Sequence, residues 1–537
     1  MSEPPSNAWR DRNGKMQDVS EYYRYCPDQP EMLISDAVCL GRRRGRYPQC
    51  PGCRFNDEEK GTGAGPLPAR QAAGTGPSPA AINEVFKDHE VRAAYPEVLD
   101  EQIAWRIGHA AASYLRGVLR GLDRSDPVAT TVVVGRDMRR SSSSLCAAFT
   151  EGARSTGANV VDVGMIDTPQ LYFAINHVRS CGGVQTTASH LPGEYNGFKL
   201  AGQQGRPIGA DTGLADIERI AQNMVKHDTG QEGALRNLDL TDEYRRFVRS
   251  QLQAPRPMKI VVDASNGMAG KWVPIIFGDV AGLDLVGLNL EHEGDFVHDP
   301  DPLVEENLRQ LCAEVVNLGA DFGICFDGDA DKVVLVDEAG QIVSNDMLTV
   351  LLARQFLARS PGSTIVYDLR SSRVVEEEIK AAGGVPRRER VGAVFIKKAL
   401  AESKGAFGGS PNGRFYFRDN FYCDSGLLAL VHVINLLTEQ TRPLGAAVRP
   451  LLRYARGRGS FENPEPEACL RKLANVYTDA RVDFLDGVTV QYPDWWFNLR
   501  KGGSEQPLQL ILEAATPELV QQKMEELAGH LGRPLAR

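Results

Sequence analysis

The sequence has no basic surplus. Its 61 Lys and Arg stand against 70 Asp and Glu, a net charge of -9 over 537 residues. That excludes the electrostatic footprint of a general nucleic-acid binder, and an anionic substrate would need a local positive site. Long apolar runs are missing as well. No stretch reaches the roughly 18 apolar residues of a membrane helix, and the opening MSEPPSNAWRDRNGK carries no apolar leader, so a cytoplasmic protein without a membrane partner is expected. Paired cysteines are scarce: Cys146, Cys181, Cys312, Cys325, Cys423 and Cys469 each stand alone in apolar surroundings. In a reducing compartment such residues are small buried hydrophobes, and no disulfide is expected. Histidine is absent before His89, so a metal site near the start would have to rest on cysteine without imidazole.

The length calls for several domains at roughly 100 to 200 residues each. GTGAGPLPARQAAGTGPSPA, residues 61–80, is too rich in Gly, Pro and Ala to bury a core and reads as a linker after a head at residues 1–60. Beyond it, strand-like and helix-like runs alternate: TTVVVGRD, SSSSLCAAFTEGARSTG, ANVVDVG, TPQLYFAINHV and CGGVQTTASH. The alternation returns at MKIVVDASNGMAG with LDLVGLNL and ADFGICF, and again at STIVYDL, SRVVEEEIKAAGG, VPRRERV and FIKKALAE. Three similar α/β units are expected. The last stretch changes to aromatic and β-rich runs with a closing helix, as in a smaller α+β domain.

FDGDADK places Asp327, Asp329 and Asp331 at alternate positions after an apolar strand. Three adjacent carboxylates repel unless a hard cation lies among them, and oxygen ligands suit Mg²⁺ or Ca²⁺. Glu338, twelfth in the run, imitates an EF-hand. Lys332 stands where that loop needs Gly, however, and both flanks read as strands, so the EF-hand is rejected. TTASHLP, residues 186–192, sets Ser189 beside His190 at the end of a strand. A serine hydroxyl can carry a phosphoryl group as an ester, and a phosphoserine with a divalent ion on its oxygens is a workable phosphoryl donor.

TTASHLP and FDGDADK, with FKDHEVRAAYPEVLDEQIAWRIG, VVVGRDMRRSSS, EYNGFKL, VVDASNGMAG and FNLRKGGSEQP in this order, resemble the α-D-phosphohexomutases, the phosphomannomutase/phosphoglucomutase family. The resemblance runs from about residue 82 to the C-terminus. It implies an α/β protein of four domains around a central cleft, here residues 81–238, 239–341, 342–452 and 453–537, the last a smaller α+β domain. It implies a phosphoserine at Ser189 and Mg²⁺ held by Asp327, Asp329, Asp331 and Ser189. Arg92 and Lys199 are implied as the basic residues flanking the transferring phosphoryl, and Lys199 or His190 as proton shuttle. A hexose phosphate is the implied substrate, moved between its 1 and 6 phosphates through a bisphosphate, with hexose 1,6-bisphosphate as activator.

The loops that would choose the sugar depart from the family. GSPNGR, with Ser410, Asn412 and Arg414, stands for a GEMSGH-like loop, and Ala393 replaces a histidine. The phosphate loop reads RKGGSEQP, so Arg500, Lys501, Gly502, Gly503 and Ser504 are its candidates. Lys332, which replaces an arginine, is a further substrate-binding candidate, and Leu191 replaces an asparagine. Two expectations follow: a mutase for an unusual or loosely selected phosphosugar, or a mutase-fold scaffold or regulatory binder with little turnover. The retained serine and aspartates favour the first. In the head, Cys26, Cys39 and the CPGC pair Cys50 and Cys53 could bind Zn²⁺ tetrahedrally, with free thiols or an iron–sulfur cluster as alternatives. GRRRGRYPQ between them could touch nucleic acid, although a charge run this short is more often a solvated loop, and nucleic acid is not the expected partner. The sequence carries no signal for an oligomeric state.

Overall fold

Thr131–Arg136, Met258–Asp263 and Thr364–Asp368 are runs of Val, Ile and Tyr buried along nearly their whole length. Burial on both faces is what a strand at the centre of a parallel sheet requires. In the computed structural model each sits between two parallel neighbours. The first lies between Asn159–Met165 and Gly182–Thr186, the second between Leu283–Leu288 and Phe322–Phe326, the third between Val385–Glu389 and Phe407–Gly409. Described here are residues 77–119, 126–224, 232–440, 442–502 and 507–535, together with the strands Ala8–Asp11, Met16–Asp18, Tyr23–Cys26 and Gln29–Ser35.

In all three sheets the third strand then doubles back into an antiparallel partner: Gly182–Thr186 with Tyr195–Gly202, Phe322–Phe326 with Val333–Asp337, and Phe407–Gly409 with Phe415–Phe417. The turns of these three hairpins hold TASHLP, DGDADK and SPNGR. One topological position therefore presents three different chemistries. The expected parallel alternation holds for the three strands named for each sheet and gives way to this hairpin after the third.

Antiparallel pairing throughout distinguishes the fourth sheet, in which Trp495–Lys501 lies between Val488–Gln491 and Leu508–Ala514, and Leu508–Ala514 also pairs with Ala455–Glu462. Pro466–Val476 and Pro517–Leu531 bury Leu473, Leu527 and Leu531 in the same core as Phe497 and Leu510. The first two sheets belong to one compact unit, residues 1–340 with 423–438, and the other two to a second, residues 341–422 with 439–537. Among the described residues no helix is long and apolar enough to cross a membrane.

Candidate active site

In the first unit, residues 327–332 make the hairpin turn between Phe322–Phe326 and Val333–Asp337. Strands on both sides accord with rejection of the EF-hand. The Asp327 N–H donates to Lys332 O at 3.2 Å, and Asp327 Oδ1 accepts from the backbone N–H of Asp331 and of Lys332, both at 3.0 Å. The turn thus folds around its first carboxylate. Asp327, Asp329 and Asp331 are fully buried, and each offers an oxygen within 4.8 Å of the others. Burial first, then the negative charges of Asp331 and Asp329, push the Asp327 carboxyl up to about 8.

Lys199 answers part of that repulsion. It projects from Tyr195–Gly202, and its ammonium donates to Asp329 Oδ2 at 2.6 Å and Asp331 Oδ2 at 2.5 Å. Thr168, the first residue of the helix Thr168–Val178, donates its hydroxyl to Asp329 Oδ2 and its N–H to Asp329 O. Asp329 Oδ1 remains buried with no hydrogen-bond partner. A buried carboxylate oxygen without a donor is costly unless a cation meets it. Three hard oxygen donors with an unanswered oxygen fit a divalent ion of the Mg²⁺ type.

Ser189 comes to this turn from the first sheet. Its strand ends at Thr186, earlier than the sequence suggests, and Ser189 lies in the hairpin turn with φ of 53°. A left-handed serine costs on the order of 1 kcal/mol and is kept only where the surroundings fix it. Ser189 is fully buried; its hydroxyl donates to Asp327 Oδ2 at 2.7 Å and lies 3.5 Å from Lys332 Nζ. Gly328 makes the approach possible: a Cβ there would sit 2.4 Å from Ser189 O. Lys332 Nζ is 2.5 Å from His190 Nδ1. An ammonium only donates, so Nδ1 accepts, and a neutral ring then carries its proton on Nε2.

Arg92 lies on Val91–Ala94, where it pairs with Gly197 of Tyr195–Gly202. Opposite residues of an antiparallel pair share a face, as do positions two apart, so Arg92 and Lys199 project from the same side of the sheet. Arg92 forms a 2.7 Å ion pair with Glu90, and its Nε is buried without a hydrogen-bond partner. Ser189, His190, Lys199, Lys332 and the three aspartates are thereby brought together by direct contacts. Sequence reasoning missed Thr168 and the buried Arg139, whose partners lie 161 and about 50 residues away in the chain.

In the second unit Ser410 is buried and donates its hydroxyl to Asn412 Oδ1. The Ser410 N–H donates to Arg414 O at 3.1 Å, closing the hairpin turn. Arg500 is half-buried near the end of Trp495–Lys501, with Nη1 3.2 Å from Lys501 O. Burial, then the neighbouring positive charge of Arg370, hold its guanidinium below the usual arginine range. The Gly502 N–H donates to Pro507 O, while Gly503 and Ser504 lie outside the described residues. Cys39, Cys50 and Cys53 are likewise outside them; Cys26 ends the strand Tyr23–Cys26.

Three α/β sheets of one topology and an antiparallel fourth, with a serine hydroxyl set on a triple-aspartate turn, define a phosphoryl-transfer enzyme. Family models for phosphoglucomutase/phosphomannomutase α/β/α domains I, II and III match residues 83–228, 240–340 and 344–454. A phosphomannomutase of Salmonella montevideo is 34% identical over 461 residues, 81% of this chain and 98% of its own. A Xanthomonas campestris pv. campestris (strain B100) protein named phosphohexose mutases is 33% identical over 80% of this chain and 94% of its own. The crystal structure of a phosphoglucomutase/phosphomannomutase family protein from Burkholderia thailandensis superposes with a TM-score of 0.76 at 29% identity, covering 83% of this chain and 96% of that one. The chain belongs to this α-D-phosphohexomutase family and is a phosphohexomutase, an isomerase that acts as an intramolecular phosphotransferase. The family resemblance and the four-domain fold class are borne out, and the scaffold alternative is not favoured.

Proposed function

We propose that the enzyme interconverts the 1- and 6-phosphates of a hexose in the cytoplasm, with Ser189 as the phosphoryl carrier. The observation that carries this reading is the 2.7 Å bond from Ser189 Oγ to Asp327 Oδ2, made between turns 138 residues apart. A sugar hydroxyl oxygen forms a bond to the phosphorus on Ser189 Oγ as the Oγ–P bond breaks. The hydroxyl proton leaves and Oγ regains one. The resulting hexose 1,6-bisphosphate, also the activator, then returns its other phosphate to Ser189 by the same exchange in reverse.

Asp327, Asp329 and Asp331, with an oxygen on Ser189, would hold Mg²⁺, which when bound would offset the negative charge of the phosphoryl oxygens. Lys199 and Arg92 supply fixed positive charge on one sheet face, where it counts most as charge gathers on the equatorial oxygens. Lys199 or His190 is the proposed proton carrier, and Lys332 holds the His190 ring. Ser410, Asn412 and Arg414 are assigned to the sugar, and Arg500, Lys501, Gly502, Gly503 and Ser504 to the phosphate that is not reacting. The neutral Ser410 and Asn412 bind hydroxyls more weakly than a carboxylate would, so a loosely selected hexose phosphate is expected. For the head, Zn²⁺ on Cys26, Cys39, Cys50 and Cys53 is the proposed ligation.

The test is turnover of glucose 1-phosphate, mannose 1-phosphate and glucosamine 1-phosphate with Mg²⁺ and a trace of hexose 1,6-bisphosphate. Ser189→Ala is expected to lower kcat about 10⁴-fold or more, as loss of a covalent nucleophile does. Full activity of that variant, or none of the wild type on any of the three sugars, overturns the reading.

A further inference from the structure

Arg139 is 1% exposed, and every N–H of its guanidinium is used. Nε donates to Asp137 Oδ2 at 3.2 Å. Nη1 donates to Pro192 O at 2.6 Å and Tyr195 O at 3.1 Å. Nη2 donates to Ser189 O at 2.9 Å and Leu191 O at 2.6 Å. Four carbonyls of the serine turn thus converge on one planar cation. Phe296 lies against it, 5.1 Å from ring centroid to the guanidinium carbon. Asp137 is itself fixed: its N–H donates to Thr186 O, its Oδ1 accepts from the Arg139 N–H at 3.0 Å and from the Ser142 hydroxyl at 2.5 Å.

The turn needs such a hold. Within residues 188–195 the backbone bonds are Leu191 N to Ala188 O and Tyr195 N to Pro192 O, both 3.1 Å, and the left-handed Ser189 would relax if released. Arg139 makes no hydrogen bond to the hydroxyl; its bonds go to Asp137 and to the four carbonyls. Because its bonds to the serine turn are all to carbonyl oxygens, esterification of Oγ would remove none of its partners.

We propose that Arg139 is the positioning residue of the reaction, clamping the serine turn so that Oγ keeps one direction through both half-reactions, when it gives the phosphoryl group and when it takes it back. The inference rests on Ser189 being the phosphoryl carrier. A guanidinium presents five donors in a rigid fork, and an ammonium has three that swivel, so lysine cannot reproduce the clamp. Misplacement of a reacting atom by about 1 Å can cost on the order of 100-fold in rate.

The experiment compares Arg139→Lys, Asp137→Asn and Ser189→Ala with wild type, using glucose 1-phosphate and mannose 1-phosphate with Mg²⁺ and trace bisphosphate. For Arg139→Lys we expect kcat about 100-fold lower with KM nearly unchanged. We also expect faster amide hydrogen exchange confined to residues 187–196, and a larger share of 32P-labelled phosphoserine lost to water instead of sugar. A role in stability alone would lower the melting temperature and leave kcat per folded molecule and the partition to water where they were, and that result overturns the proposal. Should Arg139→Lys not fold, Asp137→Asn decides: roughly tenfold lower kcat at constant KM supports the clamp, and wild-type kcat overturns it. An inactive Ser189→Ala beside a fully active Arg139→Lys removes this inference alone, whereas an active Ser189→Ala removes the carrier reading on which it stands.

Discussion

The serine and aspartate turns of the first unit and the SPNGR turn of the second occupy the same place in their sheets but are built differently. Ser189, Asp327, Asp329 and Asp331 are fully buried, and their bonds cross from one sheet to the other. Asn412, Arg414 and Arg500 are only half-buried. The SPNGR turn closes on itself through Ser410 with Asn412 and Arg414 and is joined by Asn345, whose Nδ2 donates to Pro411 O at 3.2 Å within the same unit. Phosphorus chemistry is the same for every hexose phosphate and rewards charges fixed before the substrate arrives. If Ser410, Asn412 and Arg414 bind the sugar as proposed, recognition relies on neutral groups and a guanidinium. Substitutions in the first unit should therefore lower kcat, and those in the second should raise KM.

Lys199→Met is expected to give the larger effect, a fall of about 10² to 10³ in kcat with KM little altered, because a fixed charge beside the reacting phosphoryl, as proposed for Lys199, would act mainly in the transition state. Steady-state kinetics checks it; a rise in KM at constant kcat would break the contrast between the units. Arg500→Ala should do the reverse. Arg370 adds to the burial that disfavours the Arg500 charge, so an anion bound at Arg500 relieves part of that penalty. Loss of one charge-assisted bond, worth about 1.5 to 3 kcal/mol, corresponds to about 10- to 100-fold in KM.

The same contrast explains what could be read from the chain. Ser189 and the aspartates stand out because each follows an apolar strand with an abrupt polar turn, a local pattern. The repetition of three α/β units was visible for the same reason. Arg139 was not, since GRDMRR offers three arginines of equal promise, and only the carbonyls 50 to 56 residues further on single one out. Thr168 was hidden likewise, a helix-start residue whose partner is Asp329 of another sheet. That Lys199 joins two of the three carboxylates is a matter of register between Gly182–Thr186 and Tyr195–Gly202, where it opposes Gln185. Periodicity fixes a strand's face and leaves its partner open.

Asn412→Ala should give the smallest change and bears most directly on selectivity. Asn412 Oδ1 accepts from the Ser410 hydroxyl, and both side chains are neutral. A neutral hydrogen bond from Asn412 to a sugar hydroxyl would net only about 1 kcal/mol, so a KM increase of about fivefold is expected, with kcat near that of wild type and a small fall in melting temperature from loss of the Ser410 bond. If these residues do not discriminate between hexoses, the increase will be equal for glucose 1-phosphate and mannose 1-phosphate. An increase confined to one sugar would mean that the SPNGR turn recognises a particular hydroxyl after all, and the second unit would then share the fixed geometry that distinguishes the first.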